Sequence, residues 1–480
     1  MAQPRTTPTA ETARSQPPWG LVASILPAAA ALLTRMRAID LAYHVRAGDI
    51  MLRSGDVLRT DPFTFTHIGS PWVNQQWAAQ VLFGWAYRLA GWAGVALAYA
   101  AATWTGFALL YAHCRRRGAI PRTAAILTLL GFIVATGPAP RPQVLAVPLF
   151  TGTAYLLSRR DRWTWLVSPL ALVWANVHGS FVLAPLLVGF AIVDDLVARR
   201  SVRRSIWLLL LTGAATFVTP FGPPVWTYAL EIATNETIRH WVAEWRAPSF
   251  ASVQGAAFWV SGAAVALVAF RLRRRVHPVD VARLAVFFAL GAPAIRGTLW
   301  WALIAPSVVA GWFAAEEEAE PPDQASVGRR RPDVFALIAS ALILVLVPLA
   351  FVLRSGTDPV TGAPMRLAAD APEVLVDATR RALPSGSRLL VYQPFASWFE
   401  FSNPADPVMV DSRIELYPAQ VWREYGRVIV AREDWRAILD RYKIQGIVLP
   451  PDAVLRDELK DADGFAEILD GPAGSVFVRA

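Results

Sequence analysis

The stretch Arg37-Ala-Ile-Asp40-Leu-Ala-Tyr43-His44, running on through Gly48-Asp49, Gly55-Asp56, Asp61-Pro62-Phe63, Gly69-Ser-Pro-Trp72 and Gln75-Gln76-Trp77, decides how the rest of the chain is read. It directly follows an apolar segment, Trp19–Thr34, and most of the sequence up to about residue 350 is also apolar. Acids, histidines, glutamines and tryptophans crowded beside a membrane span mark a site. The glycines, prolines and aspartates equally suit the turns of a solvated loop. Trp72 and Trp77 carry little weight by themselves, because tryptophans collect at membrane interfaces in any case.

The composition is that of a polytopic membrane protein. Of 480 residues, 55% are hydrophobic and 17% charged, where a soluble chain carries roughly 25% charged residues. The net charge of +9 is almost entirely arginine, with Lys443 and Lys460 the only lysines. Arginine abundant alongside alanine and proline reads as compositional bias. It lacks the aromatic interleaving of a nucleic-acid surface, so no nucleic-acid partner is expected. Cys114 is the sole cysteine, which excludes an intramolecular disulfide and a cysteine-based metal site. Residues 1–18 read as a disordered cytoplasmic tail. Trp19–Thr34 has no small-residue cleavage pattern after it and is followed by further spans, so it reads as a retained first helix.

A helix needs about 20 apolar residues to cross about 30 Å of hydrocarbon. About eleven candidate spans run from Trp19–Thr34 to Val334–Leu353. The piece Trp72–Gly91, with Gln75, Gln76 and Gln80, reads as a helix lying in the interface, in competition with a twelfth span. Arginine clusters occupy every second loop: Arg115–Arg117, Arg159–Arg162, Arg199–Arg204, Arg271–Arg275 and Arg329–Arg331. The positive-inside rule makes those loops cytoplasmic and puts the Asp40 loop outside. A membrane domain over 19–353 follows, with its outer loop at 37–77 and a flexible cytoplasmic linker at 316–332. From Asp370 the composition turns soluble. Strands are expected at Arg388–Tyr392, Val408–Val410 and Gly446–Leu449, a broken helix over Ala419–Tyr442, and a hairpin of Ala466–Asp470 with Ser475–Arg479. The expected fold is a polytopic α-helical membrane protein with a small extracytoplasmic α/β domain over 370–480.

The loops of the arginine-poor face gather the candidate site. Asp40 lies one helical turn before His44. A carboxylate there takes a proton from an acceptor hydroxyl or binds a cation; it is otherwise a helix-end acid in water. Its apolar neighbours Leu41 and Ala42 predict a pKa raised by desolvation. Arg141 and Arg296 are lone arginines on the depleted side, suited to phosphate oxygens. Asp61, Gln143, Asn176, His178 and His240 complete the substrate-binding candidates, with Glu231, Glu236 and Glu244 among the other charges of that face. Asn176-Val-His178-Gly179 reads as a tight turn that a ligand can approach, or as a plain helix–helix turn. Asp411-Ser412-Arg413 follows a strand end, where ligand groups gather in α/β sheets, and reads equally as a salt-bridged turn. No nucleotide-binding loop, zinc spacing or serine elbow is present.

Several strings carry a resemblance: Asp40, His44 and Gly48; Asp61-Pro62-Phe63-Thr64, Thr66, Gly69 and Trp72; Arg141-Pro142-Gln143; Trp174-Ala175-Asn176-Val177-His178-Gly179; and Val410-Asp411-Ser412-Arg413 with Glu415-Leu416-Tyr417. The chain resembles the GT-C superfamily of membrane glycosyltransferases, and a bacterial group within it. Tyr43 stands where that group's pattern has tryptophan, and no adjacent acidic pair follows Asp40. The resemblance implies an inverting hexosyl- or pentosyltransferase of the plasma membrane. Its donor would be a polyprenyl-phosphate sugar and its acceptor an extracytoplasmic glycan, lipid or protein. Asp40 and His44 would be catalytic. No cofactor is required by it, although a divalent cation is compatible with it. The competing classes are a transporter or flippase of lipid-linked sugars, which would place charges at the bilayer midplane, and a non-catalytic cell-envelope assembly protein.

Overall fold

The computed structural model of the chain describes residues 18–135, 139–317 and 356–480. The N-terminal tail, most of the expected linker and the expected span Val334–Leu353 lie outside the described residues. The apolar part is a helical bundle: α1 (Trp19–Leu33), α2 (Leu41–Ser54), α3 (Trp77–Arg116), α4 (Pro121–Ala135), α5 (Pro142–Arg159), α6 (Val167–Val177), α7 (Leu183–Val197), α8 (Arg203–Ala215), α9 (Pro224–Thr234), α10 (Glu236–Trp241), α11 (Val253–Arg271), α12 (Pro278–Gly291) and α13 (Thr298–Glu317). Among the described residues three helical stretches are long and apolar enough to cross a membrane: 77–116, 179–197 and 253–271. Several of the other expected spans form helices shorter than the roughly 20 residues of a straight crossing, so a count of eleven is not met by length alone.

Helix α3 is the hub, packed against α1, α2 and α5. Ala90 and Gly91 leave helical geometry and break it in two, and Gly91 takes φ +57°, which glycine tolerates at low cost. The stretch left ambiguous by sequence is therefore a separate helical arm bent away from the long span. On that arm Gly84 meets Gly48 of α2 backbone to backbone. A Cβ on Gly48 would lie 1.9 Å from the Gln80 carbonyl oxygen, and one on Gly84 would lie 2.7 Å from the Asp49 nitrogen. Only glycines allow this crossing, and the crossing sets α2 against the arm. Farther along the bundle the core is aromatic: Phe150 lies 5.2 Å from Trp300 and 5.6 Å from Phe287, centroid to centroid.

The C-terminal part has the four-stranded sheet of a small α/β unit. Its strands are β1 (Leu389–Val391), β2 (Gly446–Leu449), β3 (Phe465–Gly471) and β4 (Gly474–Arg479), in the order β1-β2-β4-β3. β1 and β2 are parallel; β4 is antiparallel to β2 and β3. Helices α14 (Glu373–Ala382), α15 (Gln393–Ser402), α16 (Ala419–Ile429), α17 (Trp435–Tyr442) and α18 (Val454–Lys460) accompany the sheet. The break expected near Val428–Ala431 falls between α16 and α17. The expected strand at Val408–Val410 is reduced to isolated bridges: Val408 pairs with Leu389 on one side and with Thr64 of the outer loop on the other.

That pairing docks the outer loop on the sheet. Phe65 N–H donates to the Val408 carbonyl (3.1 Å) and Thr66 Oγ1 to the Met409 carbonyl (2.6 Å). Beneath it, Arg413 is buried and donates from Nη2 to Asp61 Oδ1 at 2.6 Å and from Nε to Asp411 Oδ2 at 2.8 Å. Its guanidinium lies over the rings of Trp72 (4.7 Å), Phe63 (4.9 Å) and Tyr43 (5.6 Å). Asp61 also accepts from Phe63 N–H at 3.0 Å and from the Thr64 hydroxyl. Burial and the facing Asp411 push the Glu400 carboxyl well above the usual range. Burial raises Asp411 too, but Arg413 outweighs it and holds Asp411 ionised. Removing one partner of a buried pair costs about 3–5 kcal/mol. Arg413→Ala should therefore lower the thermal midpoint of the detergent-solubilised protein sharply. Arg427→Ala, which breaks an exposed pair with Asp434, should cost under about 1 kcal/mol. Equal effects of the two substitutions would contradict this reading.

Candidate functional site

Asp40 occupies the N-cap position of α2 but makes no capping hydrogen bond. Two long-range contacts fix this helix start: Tyr43 N–H donates to Ser397 Oγ of α15 at 2.8 Å, and Met36 N–H donates to the Arg366 carbonyl at 2.8 Å. The Asp40 carboxylate is thus free to face the loop before α5. Arg141 Nε stands 2.9 Å from Asp40 Oδ1 as an ion pair, while its Nη1 bonds Glu244. His44 Nε2 lies 3.8 Å from Asp40 Oδ2. The other ring nitrogen, Nδ1, is 3.3 Å from Gln80 Nε2, and Gln80 in turn accepts from Asn74 Nδ2 at 2.7 Å. The Gly48–Gly84 crossing makes this possible, because it brings Gln80 onto the face of α2 that carries His44.

The electrostatics reverse one expectation. Burial does raise the Asp40 carboxyl, but the Arg141 guanidinium, with His44 behind it, outweighs burial and holds Asp40 well below the usual carboxylate range. The desolvation argument from Leu41 and Ala42 had the right sign for its own cause. It missed the cation supplied by a loop about 100 residues away. Burial lowers the pKa of His44 against the pull of Asp40. Burial, Arg296 and His44 together bring His178 down to about 3, so both imidazoles are neutral at pH 7.

Arg296 follows α12 in the turn Ile295–Gly297. Gln143 pins that turn by donating from Nε2 to the Arg296 carbonyl at 3.3 Å. The Arg296 guanidinium stacks on Trp245 at 4.7 Å and, among the described residues, forms no ion pair. Burial lowers its pKa, with Glu244, Arg141, Asp40 and Glu415 the charges acting on it. A half-buried, carboxylate-free guanidinium beside a carboxylate–guanidinium pair can take up a phosphate.

The remaining candidates divide. Asn176 is a structural tie: Oδ1 accepts from Trp77 Nε1 at 2.8 Å, and Nδ2 donates to the carbonyls of Leu172 (2.8 Å) and Val218 (2.9 Å). His178 caps the following turn, its Nδ1 accepting from Ser180 N–H at 3.1 Å. Asp61 is spent on Arg413 and its own turn. His240 is exposed on α10, with its ring beside Trp241. Asp49, an acid of the same loop, is held by Arg46, Arg53 and Arg88. Asp40, His44, Arg141, Gln143, His178 and Arg296 are brought together; His240 is not. The surroundings of Asp40 do not fit a divalent cation. Its carboxylate faces a guanidinium and an imidazole instead of further oxygen ligands, and among the described residues no three His, Cys, Asp or Glu side chains are placed to hold a metal.

Three residues were not singled out for the site by sequence: Glu244, Tyr228 and Glu415. Glu244 was legible only as an outer-face acid. Tyr228 Oη donates to Glu415 Oε1 at 2.7 Å, and burial raises the Glu415 carboxyl above its ordinary range. Glu415 sits in the Asp411–Tyr417 string already quoted, which is the signal that could have found it.

Neither a family model nor a curated relative matches the sequence. Solved structures do. The chain is similar to ArnT from Cupriavidus metallidurans bound to undecaprenyl phosphate, at 12% identity and a TM-score of 0.52, covering 96% of both chains. It is also similar to the arabinofuranosyltransferase AftD from Mycobacteria, at 15% identity and a TM-score of 0.54, covering 96% of this chain and 40% of that one. The chain therefore shares its fold with ArnT and with part of AftD.

Asn176→Leu removes three hydrogen bonds and leaves the Trp77 indole N–H and the Val218 carbonyl without this partner, at roughly 1–3 kcal/mol for each buried group. It should lower the thermal midpoint by the same amount with and without added polyprenyl phosphate. An unchanged midpoint with weakened lipid binding would instead make Asn176 a ligand contact.

Proposed function

We propose that this chain is an integral-membrane glycosyltransferase that moves a sugar from a polyprenyl-phosphate-linked donor to an extracytoplasmic hydroxyl acceptor, with Asp40 as the base. The observation that carries the reading is the juxtaposition of an uncapped carboxylate, Asp40, with Arg141 and the carboxylate-free Arg296 at one end of a bundle of this fold. ArnT was solved with undecaprenyl phosphate bound, and a donor of that chemistry dissolves in the membrane and needs no nucleotide loop. A transporter is disfavoured, because charges cluster at the two ends of the bundle and the core around Phe150 is aromatic.

In this mechanism the donor phosphate enters beside Arg296 and competes for Arg141. Loss of the Arg141 contact raises the basicity of Asp40, which then takes the proton of the acceptor hydroxyl. The acceptor oxygen attacks the anomeric carbon from the face opposite the phosphate. The carbon–oxygen bond to the phosphate breaks, and the phosphate leaves with the electron pair. The configuration therefore inverts. His44 orients Asp40. Gln143 acts as a positioning residue for the Arg296 turn, and His178 remains neutral beside it.

A positioned base contributes about 10²–10⁴-fold. Asp40→Asn in reconstituted full-length protein should lose transfer by at least about 10²-fold while keeping donor binding; near wild-type transfer would remove Asp40 as the base. The pH profile gives a second reading. The base works ionised, so kcat/KM falls as pH drops through the Asp40 pKa. Arg141 is the largest influence lowering that pKa, so Arg141→Gln should move the acid limb to higher pH; a limb that stays put would assign the titration to another group.

The proposed orientation puts the Asp40 end and the C-terminal unit outside. In a Cys114→Ser background, exposed single cysteines at Ser385 and Ser201 distinguish the faces. The former should react with an impermeant maleimide on intact cells and the latter should not. The reverse pattern would invert the topology.

A further inference from the structure

The arginine clusters at the other end of the bundle are more than loop decoration. The ends of α3, α5 and α7, the start of α12 and one face of α13 enclose a cavity of about 570 Å³. Six arginines line it: Arg116, Arg117, Arg160, Arg200, Arg275 and Arg283. Among the described residues two carboxylates, Asp194 and Asp280, join them there. Among these lining residues arginines outnumber aspartates.

The two aspartates are already saturated. Asp280 accepts from Arg117 (3.0 Å), Arg283 (3.2 Å) and the Trp312 indole (3.3 Å). Asp194 pairs with Arg283 (2.8 Å) and more distantly with Arg160 (3.9 Å). Arg160 is shared with Asp195, just behind the lining. These pairs set the rim as a fixed frame. Arg116 and Arg200 have no carboxylate partner among the described residues; Arg116 reaches only the Arg159 carbonyl, at 2.9 Å. Nε of Arg117 is buried with no hydrogen-bond partner. Solvated arginines at a membrane face would spread apart and turn outward. Here they converge on a concave space, and Arg116 and Arg200 enter it without a carboxylate among the described residues.

The cavity is amphiphilic. Below the arginines its wall is Leu157, Leu187, Ile304 and Val308, which belong to the apolar helices themselves. Basic pockets between membrane helices on the arginine-rich side recognise anionic lipid headgroups, and guanidinium groups match phosphate oxygens in geometry and charge.

We propose that this cavity is a second phosphate-binding site, taking the headgroup of an anionic phospholipid, at the opposite end of the bundle from Asp40. It is independent of the donor site: no residue is shared between the two.

Native mass spectrometry of the full-length detergent-solubilised protein tests it. Phosphatidylglycerol and cardiolipin should be retained over phosphatidylcholine. Arg116 and Arg200 are both exposed and outside the aspartate frame, so Arg116→Gln/Arg200→Gln should fold and should lose that preference by about tenfold or more. Arg141→Gln should leave it intact. Cardiolipin should also raise the thermal midpoint of the wild type more than phosphatidylcholine does, a measurement that needs no variant. Equal retention of zwitterionic and anionic lipid, or a preference unchanged in the double variant, would overturn the site. Inorganic diphosphate that binds and stabilises while no lipid is selected would overturn the lipid assignment.

Discussion

Everything at the candidate site depends on Arg413. A guanidinium buried between Asp61 and Asp411 and roofed by Tyr43, Phe63 and Trp72 ties the outer loop to the C-terminal sheet. The pair is costly to desolvate, and its ion pairs with Asp61 and Asp411 and the ring faces above it offset that cost, although Nη1 is buried without a hydrogen-bond partner among the described residues. Val408, bridging Leu389 and Thr64, continues the same joint in backbone hydrogen bonds. The loop that carries Asp40 is therefore held as one wall of the C-terminal unit, and the site lies between that wall and the helical bundle.

The second constraint is the close crossing of Gly48 and Gly84. It lets α2 lie against the bent arm of α3, sets His44 beside Gln80, and leaves Asp40 at a helix start where its carboxylate has no capping duty. The Arg141-Pro142-Gln143 turn meets it from the other side. Pro142 starts α5, Arg141 faces Asp40, and Gln143 holds the turn of Arg296. Three short sequence strings thereby assemble one electrostatic unit whose resting state is an ion pair.

The mostly helical class and the small C-terminal sheet unit were legible in the sequence. They rest on local signals: apolar runs, and strand and turn chemistry such as Gly446–Leu449 and the Phe465–Arg479 hairpin. What was not legible depended on long-range partners. The fall of the Asp40 pKa needs Arg141, the structural use of Asp61 needs Arg413, and the tie at Asn176 needs Trp77 and Val218. The reduction of Val408–Val410 to isolated bridges arises because its partner on one side is a loop residue, Thr64. No sequence spacing reports these pairings, since each joins segments that only the fold brings together.

The central claim is that a lipid phosphate and Asp40 compete for Arg141, with Arg296 as the phosphate's fixed anchor. Electron cryomicroscopy of the full-length protein in a lipid nanodisc with added undecaprenyl phosphate tests this most directly. The account predicts the phosphate within hydrogen-bond distance of Arg296, with Arg141 turned from Asp40 onto it. Lipid phosphate seated away from Arg296, with the Arg141–Asp40 pair intact, would contradict it.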